Sequence, residues 1–293
     1  MRTKTFAYVL DRSSKKFICP MCEKKSFVRY VDQSKNYHDY ANFGRCDREN
    51  NCGYMNVPTD GRKLLTEPNF EPKQYKEIPT SYVPQQMVEA TWNGYKNNPF
   101  TLWLVSLFGD DKTVDLIKRY RWGVDTTSIY TQAYTIFWQL DVQGRCRSGK
   151  MLKYHNNGHR DKDAFTTWFH KKTDGSKELF PNFNLNQCLF GEHLLPIDPR
   201  KPVAVVESEK TAIIASMFVD KYIWVACGGS GQLGCAKMDV LKNRSVTLFP
   251  DLGQYENWKE KAKEYNFNIS DHIEKLATEE QRKQGLDLAD FLL

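Results

Sequence analysis

The chain has 293 residues, 40% hydrophobic, 27% charged and 13% aromatic, with a formal charge of +6. That length suits about two domains, and the charge is too small for a dedicated nucleic-acid coat but fits an enzyme with one positive groove. No apolar run approaches the roughly 20 residues that span a bilayer. The N-terminal MRTKTFAYVLDRSSKKF alternates like a strand and lacks the apolar centre of a signal peptide, so a cytoplasmic protein with no membrane partner is expected.

Residues 1–57 hold four of the eight cysteines, Cys19, Cys22, Cys46 and Cys52. In a cytosolic chain such a cluster points to a metal rather than to disulfides. CPMC has the two-residue gap that brings two thiolates to one tetrahedral Zn²⁺. The second pair, in GRCDRENNCGY, is more widely spaced, and Gly44 and Gly53 help the backbone turn around the ion. RYVDQSKNYHDY between the pairs reads as a β-hairpin. His38 is an alternative ligand, but four thiolates close a structural site whose role is to fold a module with little core of its own. Arg29, Lys35, Arg45 and Arg48, with Tyr30, Tyr37, Tyr40 and Tyr54, either contact phosphates and stack on bases or simply pack and solvate a thin ribbon. Cys146, Cys188, Cys227 and Cys235 lie in apolar or strand-like segments and read as inert thiols.

Residues 58–84 carry Pro58, Pro68, Pro72, Pro79 and Pro84 without periodicity, a linker composition. A third region, 85–200, opens with helical spacing in VEATWNGYK, FTLWLVSLF and TVDLIKRYRW. YTIFWQLDVQGR then reads as a strand entering a turn at Gly144, and a basic stretch follows. In the last region, 201–293, VAVVESEKTAIIASMF is a short strand running into a helix, and IWVACGG and VTLFPD are two more strands with helices between and after. This alternation predicts a parallel α/β unit.

Ligands collect at the C-terminal edge of such a sheet. Glu207 ends one strand there, the glycine-rich CGGSGQLG ends the second, and Asp251 ends the third. GLDLADFLL adds Asp287 and Asp290. Acids converging from several strand ends would form an oxygen-ligand site for Mg²⁺ or Mn²⁺. Each has a plain alternative: Glu209 and Lys210 as solvated first-turn residues, Asp251 as a cap for a helix near Tyr255, Asp290 as a surface charge.

VVESEKTAIIAS resembles the first motif of the toprim domain, the metal-binding α/β domain of bacterial primases, topoisomerases and some nucleases. The resemblance gives Glu207 general acid/base work. VTLFPDLG is similar to the strand carrying that family's Asp-x-Asp pair, and GLDLADFLL to its last acidic motif. Upstream, GRCRSGKMLKYHNNGHRDKDAFTTWFHKK followed by CLFGEHLL is similar to the basic stretch of bacterial replicative primases: Lys153, Tyr154 and Asn156 fit a Lys-Tyr-x-Asn motif, His170 and Lys171 a later His-Lys, and Leu189 to Gly191 a Leu-Phe/Tyr-Gly segment. The cysteine module resembles the primase zinc ribbon, including Ser26 and Phe27.

The implied fold is α/β throughout: an N-terminal zinc β-ribbon, a mixed α+β primase-like core and a toprim-type parallel α/β domain. The implied activity is synthesis of short RNA primers on single-stranded DNA from ribonucleotides. It needs Mg²⁺ or Mn²⁺ on Glu207, Asp251, Asp287 and Asp290, with Arg147, Lys150, Lys153, Asn156, Lys171 and Lys210 toward nucleotide and DNA. A replicative helicase is a candidate partner. Two departures stand out. Position 253 is Gly where the family has the second Asp of its pair, leaving Glu256 as a substitute ligand, and no helicase module follows the toprim unit, as in a primase-like protein of a mobile element or phage. The alternatives are a degenerate toprim protein that binds nucleic acid without catalysis, and a toprim-type nuclease.

Overall fold

The computed structural model describes residues 8–48, 52–58, 79–126 and 133–293. They belong to two compact units, Met1–Lys76 and Glu77–Leu293. Most of the 58–84 segment read as a linker, with Pro68 and Pro72, lies outside the described residues, as does the Cys235 side chain.

The first unit is an antiparallel ribbon of β1 (Val9–Leu10), β2 (Phe17–Ile18), β3 (Lys25–Val31), β4 (Gly44–Cys46) and β5 (Met55–Asn56). Strand β3 is central: it pairs with β1, β2 and β4, and β4 pairs with β5. Its core is small, with Phe27, Cys19 and Cys46 fully buried and Phe17 and Tyr54 packed on them. So little apolar burial cannot offset chain entropy unaided, which is why such modules recruit a metal.

The second unit opens with α1 (Gln85–Glu89), α2 (Pro99–Phe108) and α3 (Asp110–Tyr120). VEATWNGYK holds only the end of α1, because Thr91 and Asn93 donate side-chain hydrogen bonds back to the carbonyls of Val88 and Ala90 and close the helix. At α2, Asn98 caps the Thr101 N–H at 3.0 Å and Pro99 follows at the first helical position, an arrangement that stabilises by about 1 kcal/mol. The Asn98 amide also donates to Thr135 Oγ1 at 3.1 Å, fixing the helix to the sheet behind it.

That sheet is antiparallel, in the order β6 (Gly123–Asp125), β7 (Tyr134–Leu140), β8 (Cys146–Leu152), β9 (Thr167–Trp168). Strand β7 is buried on both faces. Ile136, Trp138 and Leu140 pack with Val83, Val88, Met151 and Phe169, while Phe137 faces the main core with Phe100 and Tyr154. Period-2 alternation thus serves two apolar faces rather than one. Gly149 lies opposite Trp138, and a Cβ there would fall 2.5 Å from Ile136 and 2.7 Å from the indole. Glycine at 149 is what lets the tryptophan lie flat on the sheet.

After a small hairpin, β10 (Thr173–Asp174) and β11 (Lys177–Glu178), the chain enters an all-parallel sheet. Its elements are β12 (Val203–Val206), α4 (Glu209–Phe218), β13 (Ile223–Ala226), α5 (Cys235–Met238), β14 (Val246–Leu248), α6 (Tyr255–Tyr265) and β15 (Asn268–Ile269), then α7 (His272–Leu276), α8 (Glu279–Gln284) and α9 (Leu288–Leu292). The strand order is β13-β12-β14-β15. Every residue of β12 and β13 is buried, the unbroken apolar signature of a sheet covered on both sides. The fold is therefore mixed α/β with an N-terminal cysteine ribbon, and its parallel sheet fits the toprim-type arrangement.

Residues on either side of position 200 share one core. Phe100, Tyr120, Phe137 and Tyr154 pack in the same cluster as Val203–Val206, Ile213 and Trp224. Tyr120 stacks on Phe190 and donates toward the carbonyls of Ala212 and Trp224 at 3.2 and 3.3 Å. Phe190 makes a single antiparallel bridge to Ala226, exchanging hydrogen bonds of 2.9 and 3.0 Å, so the Leu-Phe-Gly segment docks on β13. Among the described residues no helix is long and apolar enough to cross a membrane.

Candidate metal and nucleotide site

In the ribbon, the Sγ atoms of Cys19, Cys22, Cys46 and Cys52 all lie within 4.8 Å of one another. The edges Cys19–Cys52 and Cys22–Cys46 are 3.7 and 3.9 Å. A tetrahedral Zn²⁺ with bonds of about 2.3 Å requires sulfur–sulfur edges of about 3.8 Å, so the thiols already sit where zinc places them. The backbone N–H of Lys24 lowers the Cys22 thiol. His38 stays outside the cluster: its Nδ1 accepts the Tyr40 N–H and its ring packs on Phe43. Of the eight ribbon residues with two readings, Arg29, Tyr30, Tyr37 and Tyr54 are engaged within the ribbon. Arg29 donates to His38 O and lies over Phe17 and Tyr37, Tyr37 donates to Asp11, Tyr54 donates to Asn42 O, and Tyr30 is buried. Tyr40 remains exposed.

The second constellation sits at the C-terminal edge of the parallel sheet. Glu207 follows β12, Asp251 follows β14 beside it, and Ser208 caps α4 by accepting the Thr211 N–H at 3.1 Å. The Glu207 and Asp251 carboxyls are close enough for each to perturb the other's titration. Burial, with Asp287 and Glu207 nearby, pushes Asp251 up to about 8. Burial also raises Glu207, opposed by the Ser230 N–H it accepts, by Asp251 and by Lys150. Asp251 is the more strongly shifted of the two. Its Oδ1 is buried without a partner among the described residues, an exception to the rule that enclosed polar atoms are satisfied.

Asp287 and Asp290 have a structural task as well. They form a reciprocal capping box on α9, and Asp287 Oδ2 accepts the Thr211 hydroxyl at 2.8 Å. Their charge reaches Asp251, but the four acids do not close on one point. Among the described residues, the cysteines are the group of three or more candidate ligands within 4.8 Å. The Glu207–Asp251 pair with its orphaned oxygen fits a hard cation that keeps most of its water. Glu256 does not substitute for the missing acid: it is exposed and pairs with Lys259 on its own helix. Gly253 has φ +81° and open space where a Cβ would stand, and its N–H donates to Glu274 at 2.9 Å.

Glu209 and Lys150 form the part of the site that sequence reasoning undervalued. Glu209 is 2% exposed and no solvated first-turn residue. Lys150, from the neighbouring antiparallel sheet, donates to Glu209 Oε2 at 3.2 Å and to Gly228 O at 3.0 Å. Lys237 is also buried, donating to Cys227 O and Gln232 Oε1, and burial lowers it. The two lysines thus hold both ends of the glycine-rich turn after β13.

The other basic positions lie elsewhere. Arg147 is bound to Asp141 at 3.0 Å, donates to Asn186 O and lies over Tyr82. Lys153 lies over the Tyr134 ring, Lys210 over Trp103, and Asn156 and Lys171 are exposed. Tyr154 and His170 are core: Tyr154 packs on Phe100, and His170 is hydrogen-bonded to Ser148 and stacked on Phe183.

Residues 98–252, more than half the chain, match the family described as Domain of unknown function (DUF6371). The chain belongs to that family. The DUF6371 region contains Lys150, Glu207, Glu209 and Asp251 and ends just before Gly253. Residues 6–65 of this DUF6371 protein match a family described as a zinc beta-ribbon finger, which with the thiol geometry identifies a structural zinc site. No curated protein matches the chain. Among solved structures the DUF6371 chain is similar to the primase fragment of the bacteriophage T7 primase-helicase protein, at 16% identity over 58% of this chain and 69% of that one, with a TM-score of 0.38. It is also similar to the Escherichia coli primase catalytic core, at 13% identity over 71% and 80%, with a TM-score of 0.42.

Proposed function

We propose that the protein is a primase-like nucleotidyltransferase making short RNA primers on single-stranded DNA in the cytoplasm, with Mg²⁺ or Mn²⁺ at the Glu207–Asp251 edge. The observation that carries this reading is the pair of acids following adjacent parallel strands, Glu207 and Asp251, one oxygen of it enclosed and unpartnered among the described residues. Acids held at this cost mark functional sites, and the toprim resemblance falls on the same two residues. A bound divalent cation would neutralise charge on the nucleotide phosphates. Glu207, oriented by the Ser230 N–H, accepts the proton of the attacking 3′-hydroxyl. Lys150 places positive charge beside the carboxyls. Asp287 and Asp290 lend charge from the α9 cap, Lys153, Asn156, Lys171 and Lys210 face the polynucleotide, and a helicase presents the template.

The test is incubation with single-stranded DNA, labelled ribonucleotides and either metal. Short products from the parent and none from Glu207→Gln support primer synthesis; products of equal yield from both variants defeat it. One specific observation favours the second reading, a non-catalytic nucleic-acid binder: Gly253 leaves open space at the position of the second acid. Salt-sensitive DNA binding without products under either metal would select it.

A further inference from the structure

Between residues 150 and 172 the chain carries six Lys and Arg against two Asp; Lys150 and Lys172 are paired with Glu209 and Asp125 from elsewhere in the unit, which leaves a surplus of two. This segment includes the excursion from β8 to β9, and it presents one large apolar side chain to solvent: Phe165, at 87% exposure the barest large hydrophobic among the described residues. A benzyl group that exposed is unfavourable unless something covers it.

The loop around it is built. Tyr154 and Arg160 form an antiparallel bridge, and the Asp161 N–H donates to Lys153 O at 2.9 Å. Asp161 Oδ1 accepts the N–H groups of Asp163 and Ala164 at 3.0 and 3.2 Å. Arg160 donates to Thr166 Oγ1, and the Tyr134 hydroxyl to Phe165 O at 3.3 Å. Backbone is fixed on both sides of Phe165 while its ring is left free. Both loop acids sit in the turn, and Asp161 is occupied by it, whereas Arg160, Lys162 and Lys171 are exposed.

We propose that this loop is a stacking finger for single-stranded nucleic acid, with Phe165 as the platform for one unpaired base and Arg160, Lys162 and Lys171 on the adjoining phosphates. An aromatic ring held out of a basic surface is the arrangement that binds single strands with little sequence preference. A protein partner with an apolar pocket would cover Phe165 equally well, but would leave the concentration of cations unexplained. The inference rests on the nucleic-acid reading above and adds to it a contact made outside the acidic pair.

The experiment is fluorescence anisotropy of labelled single-stranded DNA and RNA with the full chain, without divalent cations so that catalysis plays no part. Phe165→Ala should weaken binding by roughly five- to a hundred-fold, the worth of one stacked base, with an unchanged salt slope because no charge is lost. Phe165→Trp should restore the affinity and show quenched emission on binding. Lys162→Ala should lower the log–log salt slope by about 0.7, one phosphate on a single strand. Phe165→Ala binding as tightly as the parent overturns the finger while leaving the proposed function standing. A parent that binds no single strand at all overturns both.

Discussion

Replacing Asp251 by Asn separates a folding cost from a functional gain. Asp251 has its carboxyl raised from an ordinary 3.8 to about 8. Between those values the folded chain holds a proton that the unfolded chain has released, so stability falls as pH rises from about 4 to about 8 and is level beyond. Four units at about 1.4 kcal/mol each set a ceiling of roughly 6 kcal/mol. Solvent at the half-buried carboxyl brings the expected effect to about 2–3 kcal/mol. Asn cannot ionise, and its Nδ2–H can donate to the neighbouring Glu207 carboxylate. Thermal melting should therefore find the variant close to the parent at pH 5 but about 5–10 °C higher at pH 8, given about 2–4 °C per kcal/mol for a unit of this size. Mg²⁺ should raise the parent's melting temperature more at pH 8 than at pH 6, since cation and proton compete, and should leave the variant unmoved. A variant less stable than the parent at pH 8, or one that keeps the Mg²⁺ shift, would refute the assignment.

The zinc ribbon should contain one Zn per chain by elemental analysis, and Cys46→Ser should lose the metal and, with it, the amide dispersion of residues around Phe27; retention of both would dismiss a structural role. For the Lys150–Glu209 pair, Glu209→Ala should cost about 2–4 kcal/mol in urea unfolding by stranding a largely buried ammonium, and Lys150→Met with Glu209→Leu should cost less than the sum of the single changes. Strict additivity would mean the two do not interact. Gly253→Asp enters open space at φ +81°, so it should cost about 1–2 kcal/mol of stability while tightening Mg²⁺ several-fold by calorimetry; unchanged affinity would mean position 253 does not face the cation.

The ribbon and the parallel sheet were legible because their signals are local. CPMC fixes two ligands within one turn, and VAVV and IWVA are continuous apolar runs that only a doubly covered strand tolerates. The placement of Glu207 and Asp251 after β12 and β14 followed from the same logic, since strand ends are visible in sequence. Glu209 was passed over because its partner, Lys150, lies 59 residues away on another sheet, and a buried ion pair leaves no periodicity. The signal available was the acid two residues after Glu207 in a first turn otherwise apolar on its inner face. Arg147 misled for the opposite reason: a basic stretch does not reveal that Asp141, six residues earlier, takes one of its cations inward. Asp287 and Asp290 show a third limit, since the i, i+3 spacing of two acids before an apolar run signals a capping box as much as a ligand pair.

The one-residue bridge at Phe190 also governs what the parallel sheet can do beyond its own chain. Strand β13 lies at the margin of the sheet, where outward-pointing N–H and C=O groups invite a strand from another molecule. Here Ala226 gives both its groups to Phe190, and the Trp224 carbonyl receives the Tyr120 hydroxyl. At the opposite margin β15 is only two residues long. Neither side leaves a run of free amides long enough to seed intermolecular strand addition, so a partially loosened molecule can re-close rather than polymerise through this sheet.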